Sequence, residues 1–217
     1  RTRLHRVVTR PRETRASSLL RPASRKPGGP NPKVSMNTKH TLALLGSALL
    51  VGAACLPAQP AWLTQVHGTA VLNAAQVAGA PQADASVARQ PGVVSVVMTA
   101  DCLPVLLCDR AGSVVAAAHA GWRGLLDGVL ERTVEAMAQP TAELLAYLGP
   151  AIGPTAFEVG DEVRQAFVAH SAQASEAFLP GASAGKWLAD LYLLARQRLN
   201  GVGVNAVYGG HDCTYSD

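Results

Sequence analysis

The chain has 217 residues, of which 48% are apolar, 5% aromatic and 16% charged. This composition predicts one globular domain with a tail and argues against a largely disordered chain. The four cysteines include no C-x-x-C pair, which argues against a disulfide scaffold and a four-cysteine zinc ribbon. No uncharged apolar run reaches the roughly 20 residues of a membrane span, so we expect no membrane partner.

The charge is divided unevenly along the chain. Residues 1–40 carry 11 Lys and Arg against one acid, a net charge of +10, whereas residues 41–217 carry 8 against 14, a net charge of −6. The acidic body lacks the basic, aromatic-lined face that nucleic-acid binding needs, so we expect no nucleic-acid partner. We predict a basic, poorly ordered segment over 1–40 and a single domain over 41–217.

The apolar stretch at 41–55 has two interpretations. Leucines at nearly helical spacing predict a buried amphipathic helix. The stretch from Met36 to Cys55 also imitates a bacterial lipoprotein signal, with a basic start, a short apolar run and small residues before the cysteine. We favour the helix, because 35 residues precede Met36 and Gly52 fits a signal poorly.

Strands are predicted in the middle of the chain and helices at its flanks. The predicted strands are 93–98, 103–108, 113–118, 144–148 and 202–208. The predicted helices are 125–138, 160–169 and 188–200, the last with Asp190 near its N-cap. Residues 73–92 are predicted to be a loop, 121–124 a tight glycine-flanked loop, and Pro104 is expected to disturb the register of its strand. Partial alternation of strands and helices indicates an α+β fold with mixed sheets flanked by helices.

Three residues at the ends of predicted strands could bind a metal: His67, Cys102 and His119. Two imidazoles and one thiolate are a three-ligand set for catalytic zinc, which leaves the fourth position open for water or substrate. The gaps of 35 and 17 residues form no short metal motif. Spacing alone therefore leaves open a buried structural cysteine and histidines that serve only as hydrogen-bonded polar residues.

Four motifs together carry a specific resemblance. They are QVHG at 65–68, TADCLP at 99–104, HAGWRG at 119–124 and LGPAIGP at 148–154. With these motifs the chain is similar to the laccase-domain family, long described as multicopper polyphenol oxidases and better described as purine nucleoside phosphorylases with adenosine deaminase activity. The resemblance extends over about 47–217.

The resemblance implies an α/β/β/α sandwich and a zinc triad of His67, Cys102 and His119, which would also be the catalytic residues. It implies a cytoplasmic enzyme that binds a purine nucleoside and phosphate, and we expect a monomer. The family's opening Arg-x-Gly-Gly turn is only faintly matched here. Its closing stretch after Cys213 is absent, which predicts a C-terminally truncated domain.

Phosphorolysis requires donors for phosphate, and Arg123 with the backbone amides of 121–124 could supply them. A structural salt bridge is the alternative role for Arg123, and packing is the favoured role for Trp122. Deamination requires a hydroxide, which zinc supplies, and a general acid or base. We do not expect Asp101 to reach the metal, because neighbours on a strand point to opposite faces. Glu158 and Asp161 stay open for that role.

Three other functions remain open on the sequence. One Cys and two His also suit copper, so a copper-dependent, laccase-like polyphenol oxidase is the first alternative. The six histidines are too few for a conventional laccase. Cys102 activated by a histidine would give a thiol hydrolase. The last alternative is a non-enzymatic chain that keeps the metal core and has lost its pocket.

Overall fold

The computed structural model describes Leu56 and residues 58–216. The predicted basic segment over 1–40 and the predicted helix over 41–55 lie outside the described residues. Within the described part, no helix is both long enough and apolar enough to cross a bilayer.

The described residues form three β-sheets. Their strands are β1 (Pro60–Ala61), β2 (Val71–Asn73), β3 (Ala85–Ala88), β4 (Val94–Ser95), β5 (Leu103–Asp109), β6 (Val115–Ala120), β7 (Leu144–Leu148), β8 (Glu158–Gly160), β9 (Phe178–Pro180), β10 (Lys186–Ala189) and β11 (Ala206–Gly209). The largest sheet has six strands in the order β11-β7-β5-β6-β3-β2. Its central pairs are antiparallel and its two outer pairs, β11–β7 and β2–β3, are parallel. Strands β8, β10 and β9 form an antiparallel sheet, and β1 pairs with β4 in parallel.

Four α-helices flank these sheets in the described part of the chain. They are α1 (Trp122–Asp127), α2 (Val129–Met137), α3 (Asp161–His170) and α4 (Leu191–Gly201). Helix α2 packs against β6 and β3 and buries Leu130 and Met137 completely. Each such side chain contributes about 1.5–3 kcal/mol to folding. Mixed sheets with flanking helices confirm the predicted α+β class.

The predicted cap of α4 is confirmed. The Asp190 side chain accepts the backbone N–H of Leu193 at 2.9 Å. This bond satisfies one of the N–H groups that a helix start leaves without a partner.

Strands β5 and β6 form the hairpin predicted at 103–118, and its register is regular throughout. Pro104 pairs with His119 and Cys108 with Val115, so the expected disturbance by Pro104 was wrong. The reason is position: pairing with β7 starts only at the next residue, so no ladder bond needs the N–H that proline lacks.

The opposite end of the hairpin is closed by Asp109. Its carboxylate accepts the backbone N–H groups of Ser113 and Val114 at 2.7 and 3.1 Å. The backbone N–H of Gly112 donates to the Asp109 carbonyl at 3.1 Å, which confirms the predicted turn.

The glycine-flanked segment 121–124 is not the predicted loop. Helix α1 starts at Trp122 with Gly121 as its N-cap, so this segment is its first turn. The predicted helix over 125–138 is also interrupted, because Gly128 takes a left-handed conformation with φ of 100° and separates α1 from α2. Complete burial of Leu125 outweighs the low helix propensity of the glycines.

The predicted strand over 93–98 and the predicted loop over 73–92 were both wrong, because tertiary packing overrides local propensity in each. The β-branched run at 93–98 is mostly irregular, and only Val94–Ser95 pairs as a strand, although Val94 and Val97 are buried. Conversely, the predicted loop over 73–92 contains β3, all four residues of which are buried. Ala and Ser have weak strand propensity, and β3 forms because its residues are buried against the rest of the fold.

Candidate metal centre

Three side chains meet at one end of the large sheet. His67, Cys102 and His119 each place a donor atom within 4.8 Å of the other two. The Nε2 atom of His67 lies 3.7 Å from Sγ of Cys102, and the two imidazole rings are 4.7 Å apart, inclined at 70°. Among the described residues, this is the single group of three or more His, Cys, Asp or Glu side chains with such geometry. The donor set suits a zinc ion with an open fourth position.

The β5–β6 hairpin positions two of the three. Cys102 directly precedes β5, and His119 is the last residue but one of β6. Because Pro104 pairs with His119, the start of β5 and the end of β6 lie side by side. His119 is buried and Cys102 is half-buried, so the pair forms the floor of the site.

His67 reaches the site from an irregular segment before β2, and its side chain is exposed. Its φ is 60°, in the left-handed region that residues other than glycine rarely adopt. The strain is offset by three successive backbone N–H groups, those of Val66, His67 and Gly68, which all donate to the Asp84 carboxylate. Such a run of N–H groups forms a nest for an anion.

Asp84 is fully buried and joins the two histidines. Its Oδ1 accepts the backbone N–H of His67 at 2.9 Å and Nδ1–H of His119 at 2.8 Å. Its Oδ2 accepts the N–H groups of Val66 and Gly68 at 3.1 and 2.7 Å. Burial raises the pKa of Asp84, but these hydrogen bonds outweigh it and leave that pKa below its usual value. The carboxylate therefore stays ionised, and Nε2 of His119 is left for a metal.

Sequence reasoning missed Asp84. The signal was present: Asp84 is the sole charged residue between Asn73 and Ala88. An isolated acid in a stretch of small apolar residues is expected to be buried only if it is hydrogen-bonded. Its partners lie 16 to 35 residues away along the chain, so the sequence pattern does not identify them.

Two glycines allow the segments to come together. A Cβ on Gly121 would lie 2.8 Å from Cδ2 of His67 and 2.9 Å from Sγ of Cys102. A Cβ on Gly124 would lie 3.0 Å from the carbonyl oxygen of Gly68. Both glycines are therefore needed to bring α1 against the segment of His67 and the candidate ligand Cys102.

The electrostatics of the ligands favour a neutral imidazole and a protonated thiol in the metal-free protein. Burial, followed by the charges of Asp101 and Asp84, raises the pKa of Cys102. Burial lowers the pKa of His119, although the Asp84 contact opposes it. A neutral histidine is the form that binds a metal, and a bound cation would favour the thiolate of Cys102.

The predicted phosphate ligand, Arg123, is exposed at the start of α1. Its guanidinium lies 4.4 Å above the ring of its neighbour Trp122. Within the described residues, the ion pairs that the structure forms do not include Arg123, so it does not have the structural salt bridge considered as its alternative role. Trp122 is partly buried against the core, as the packing role predicts.

The acids considered as general acid or base lie outside the His–Cys–His group. Oδ1 of Asp101 accepts a hydrogen bond from the Thr214 hydroxyl at 2.8 Å, which ties the chain end to the residue before Cys102. Oδ1 of Asp161 accepts the Trp187 indole N–H at 2.9 Å. Glu158 is exposed on β8.

The comparisons with known proteins identify the family. The model of the multi-copper polyphenol oxidoreductase laccase family matches residues 39–217. The chain belongs to this laccase-domain family. A Pseudomonas aeruginosa relative named purine nucleoside phosphorylase is 58% identical over 162 residues, which are 75% of this chain and 66% of the relative. The Escherichia coli K12 relative, purine nucleoside phosphorylase YfiH, is 57% identical over 172 residues, 77% of this chain and 69% of the relative.

A solved structure of a laccase-domain relative from Neisseria meningitidis matches the fold. Its TM-score is 0.70 at 56% sequence identity, over 74% of this chain and 66% of that one. The laccase-domain chain described here thus spans about two thirds of the length of the relatives it matches.

Proposed function

We propose that this protein is a purine nucleoside phosphorylase that converts adenosine, inosine or methylthioadenosine and phosphate into the base and a sugar 1-phosphate. The observation that carries the proposal is the 57–58% identity to two relatives named for this activity. The His–Cys–His group supplies a site for the reaction in the part of the chain that is described.

Zinc is the metal that we propose for this site, held by His67, Cys102 and His119. The residues fit it: two imidazoles and a thiol face one another, and Asp84 holds the proton of His119 on Nδ1. Bound zinc would supply a Lewis acid that lowers the pKa of a coordinated water towards about 7. That chemistry also underlies the adenosine deamination that we propose as a second activity of the same site.

Arg123 is our proposed ligand for phosphate. Arg123 lies two residues after Gly121, where an added Cβ would clash with His67 and Cys102, and its exposed guanidinium is free to donate hydrogen bonds to a ligand. A guanidinium suits phosphate because it can donate two parallel, charge-assisted hydrogen bonds. Asp84 is unsuited to proton transfer, since both of its oxygen atoms already accept N–H groups of the protein.

We further propose that the large sheet is one layer of an α/β/β/α sandwich. Tyr147 and Tyr208 support it, since they pair across β7 and β11 and are 47% and 55% exposed, as expected of a face that a second layer would cover. Cytoplasmic localisation, a monomeric state and the absence of nucleic-acid and membrane partners stay predictions.

A chromatographic assay of zinc-loaded protein with adenosine, with and without phosphate, tests the function. Adenine that forms only with phosphate is the expected result, and inosine without phosphate would demonstrate the deaminase activity. His67→Ala should abolish both. If neither product forms, the nucleoside proposal fails, and copper-loaded protein should then be assayed for phenol oxidation.

A further inference from the structure

We infer that Asp84 is the positioning residue of the metal centre, which sets the place of both histidines through one buried carboxylate. The inference rests on the proposed metal site, but it does not depend on which nucleoside is cleaved. Asp84 is not a metal ligand or a catalytic residue, because none of its oxygen atoms is left to face a substrate. Each of its two oxygens accepts two N–H groups.

The contact with His119 fixes which nitrogen faces the site. The Nδ1–H of His119 donates to the carboxylate, and the His119 side chain is 4% exposed, so the imidazole has little freedom to rotate. The backbone adds a second link, because the N–H of His119 donates to the Asp84 carbonyl at 2.7 Å. Nε2 therefore points towards His67 and Cys102 in advance of metal binding.

The contact with His67 works through the main chain. Three consecutive N–H groups converge on the carboxylate and hold His67 in its left-handed conformation. Without a carboxylate at this place, three N–H groups would lose their acceptor, and the conformation of His67 would lose its support. The ring of His67 would then move away from Sγ of Cys102, because no other hydrogen bond described for His67 holds it there apart from the 3.7 Å contact itself.

The substitution Asp84→Asn is a sharp probe of this role. The new amide keeps the size of the side chain and one acceptor oxygen. Its NH₂ group is a donor, so it cannot accept the N–H groups that the second carboxylate oxygen accepts in the wild type. The charge that makes the accepted bonds strong is also lost. The Asp84→Asn protein should therefore fold with both histidines misplaced.

The chain offers a matched control at the far end of the same hairpin. Asp109 is likewise buried and accepts backbone N–H groups from Ser113 and Val114. Its pKa is also lowered, because bonds from Ser113 and Val114 outweigh the effect of burial. Asp109→Asn therefore removes a comparable buried carboxylate without touching His67 or His119.

The first experiment measures the dissociation constant of Zn²⁺ by competition with a chromophoric chelator, for wild type, Asp84→Asn and Asp109→Asn. We expect Asp84→Asn to weaken zinc binding by about 10–100-fold. Asp109→Asn should stay close to wild type. Equal affinities of folded Asp84→Asn and wild type would overturn the inference, whereas a wild type that binds no zinc would instead overturn the proposed metal site.

The second experiment needs no variant and no metal. Nitrogen NMR of the imidazoles in the metal-free wild type should show Nδ1 of His119 protonated and hydrogen-bonded. An Nδ1 of His119 that carries no proton would contradict the role of Asp84, even if Asp84→Asn fails to fold. This readout is independent of enzyme activity.

Discussion

Gly121 and Cys102 approach so closely that a Cβ on the glycine would lie 2.9 Å from the sulfur. The backbone of Gly121 has φ of −61° and ψ of 157°, which any residue can adopt. The requirement for glycine is therefore purely one of space, because the start of α1 lies directly over two of the candidate metal ligands, His67 and Cys102.

We expect Gly121→Ala to weaken zinc binding by about tenfold or more, since the ligands must shift to admit the methyl group. The fold should survive, because the clash involves movable side chains. Gly201→Ala, at the end of α4 with nothing within 4 Å of its added Cβ, is the matched control. Chelator competition measures the affinities, and wild-type binding by Gly121→Ala would contradict the geometry.

Arg123→Ala is predicted to raise the KM for phosphate about tenfold or more, because a charge-assisted bidentate contact is lost. The KM for the nucleoside should change much less. The control is Arg132→Ala, which removes an exposed arginine paired with Glu135 on the surface of α2. Initial rates measured at varied phosphate and at varied nucleoside give the two KM values. If Arg123→Ala has the same KM for phosphate as Arg132→Ala, phosphate binds elsewhere.

Metal removal should abolish phosphorolysis, and Zn²⁺ should restore it to the chelated protein. Copper competes well for such ligands, so Cu²⁺ is expected to bind without restoring the same rate. Metal content and adenine release are measured on the same samples. Full activity of protein shown to be metal-free would contradict this prediction.

Asp109→Asn should reduce the free energy of unfolding near neutral pH by about 1.5–3 kcal/mol, the range for hydrogen bonds to a charged group. The sign of the pH dependence follows from the lowered pKa of Asp109. Its stabilisation is present above the usual value of 3.8 and is lost as the pH falls through the folded-state value. Urea unfolding of wild type and variant should therefore converge in acid, and a constant difference down to low pH would argue against this explanation.

Tyr192→Phe should destabilise the protein by about 1–3 kcal/mol, because a buried N–H is left without an acceptor. The Tyr192 hydroxyl accepts the Ala151 N–H and donates to the Asp212 carbonyl, both at 2.7 Å. Burial of the hydroxyl is the main reason that the pKa of Tyr192 is raised to about 12. Wild type should thus lose stability as the pH rises from 10 towards 12, a loss that Tyr192→Phe should not share in full.

The hairpin was predictable from the sequence because its information is local. Two continuous apolar runs and the turn from Asp109 to Gly112 between them define both strands. The three candidate ligands could also be proposed, from their positions at strand ends and from the resemblance of the surrounding motifs. The role of Asp84 could not, since it depends on contacts between segments distant in sequence.

Unusual backbone conformations and weakly patterned strands also could not be predicted from the sequence. Left-handed His67 could not be predicted from the sequence, because few residues other than glycine adopt that region and the N–H groups that support it here bond to the distant Asp84. Strand β3 escaped prediction because Ala and Ser have little strand propensity of their own. In both cases the surrounding fold decides what the local sequence leaves open.

The β5–β6 hairpin has a consequence for the order in which the metal site assembles. Cys102 and His119 are 17 residues apart and meet as soon as the hairpin closes, whereas His67 lies 35 residues before Cys102 and Asp84 lies 35 residues before His119. Local contacts of this kind form early in folding. We therefore expect a half-built site with one thiol and one imidazole to form before the domain is complete, where a cation present during synthesis would bind first and guide His67 into place. Refolding rates measured with and without zinc would reveal such metal-guided assembly.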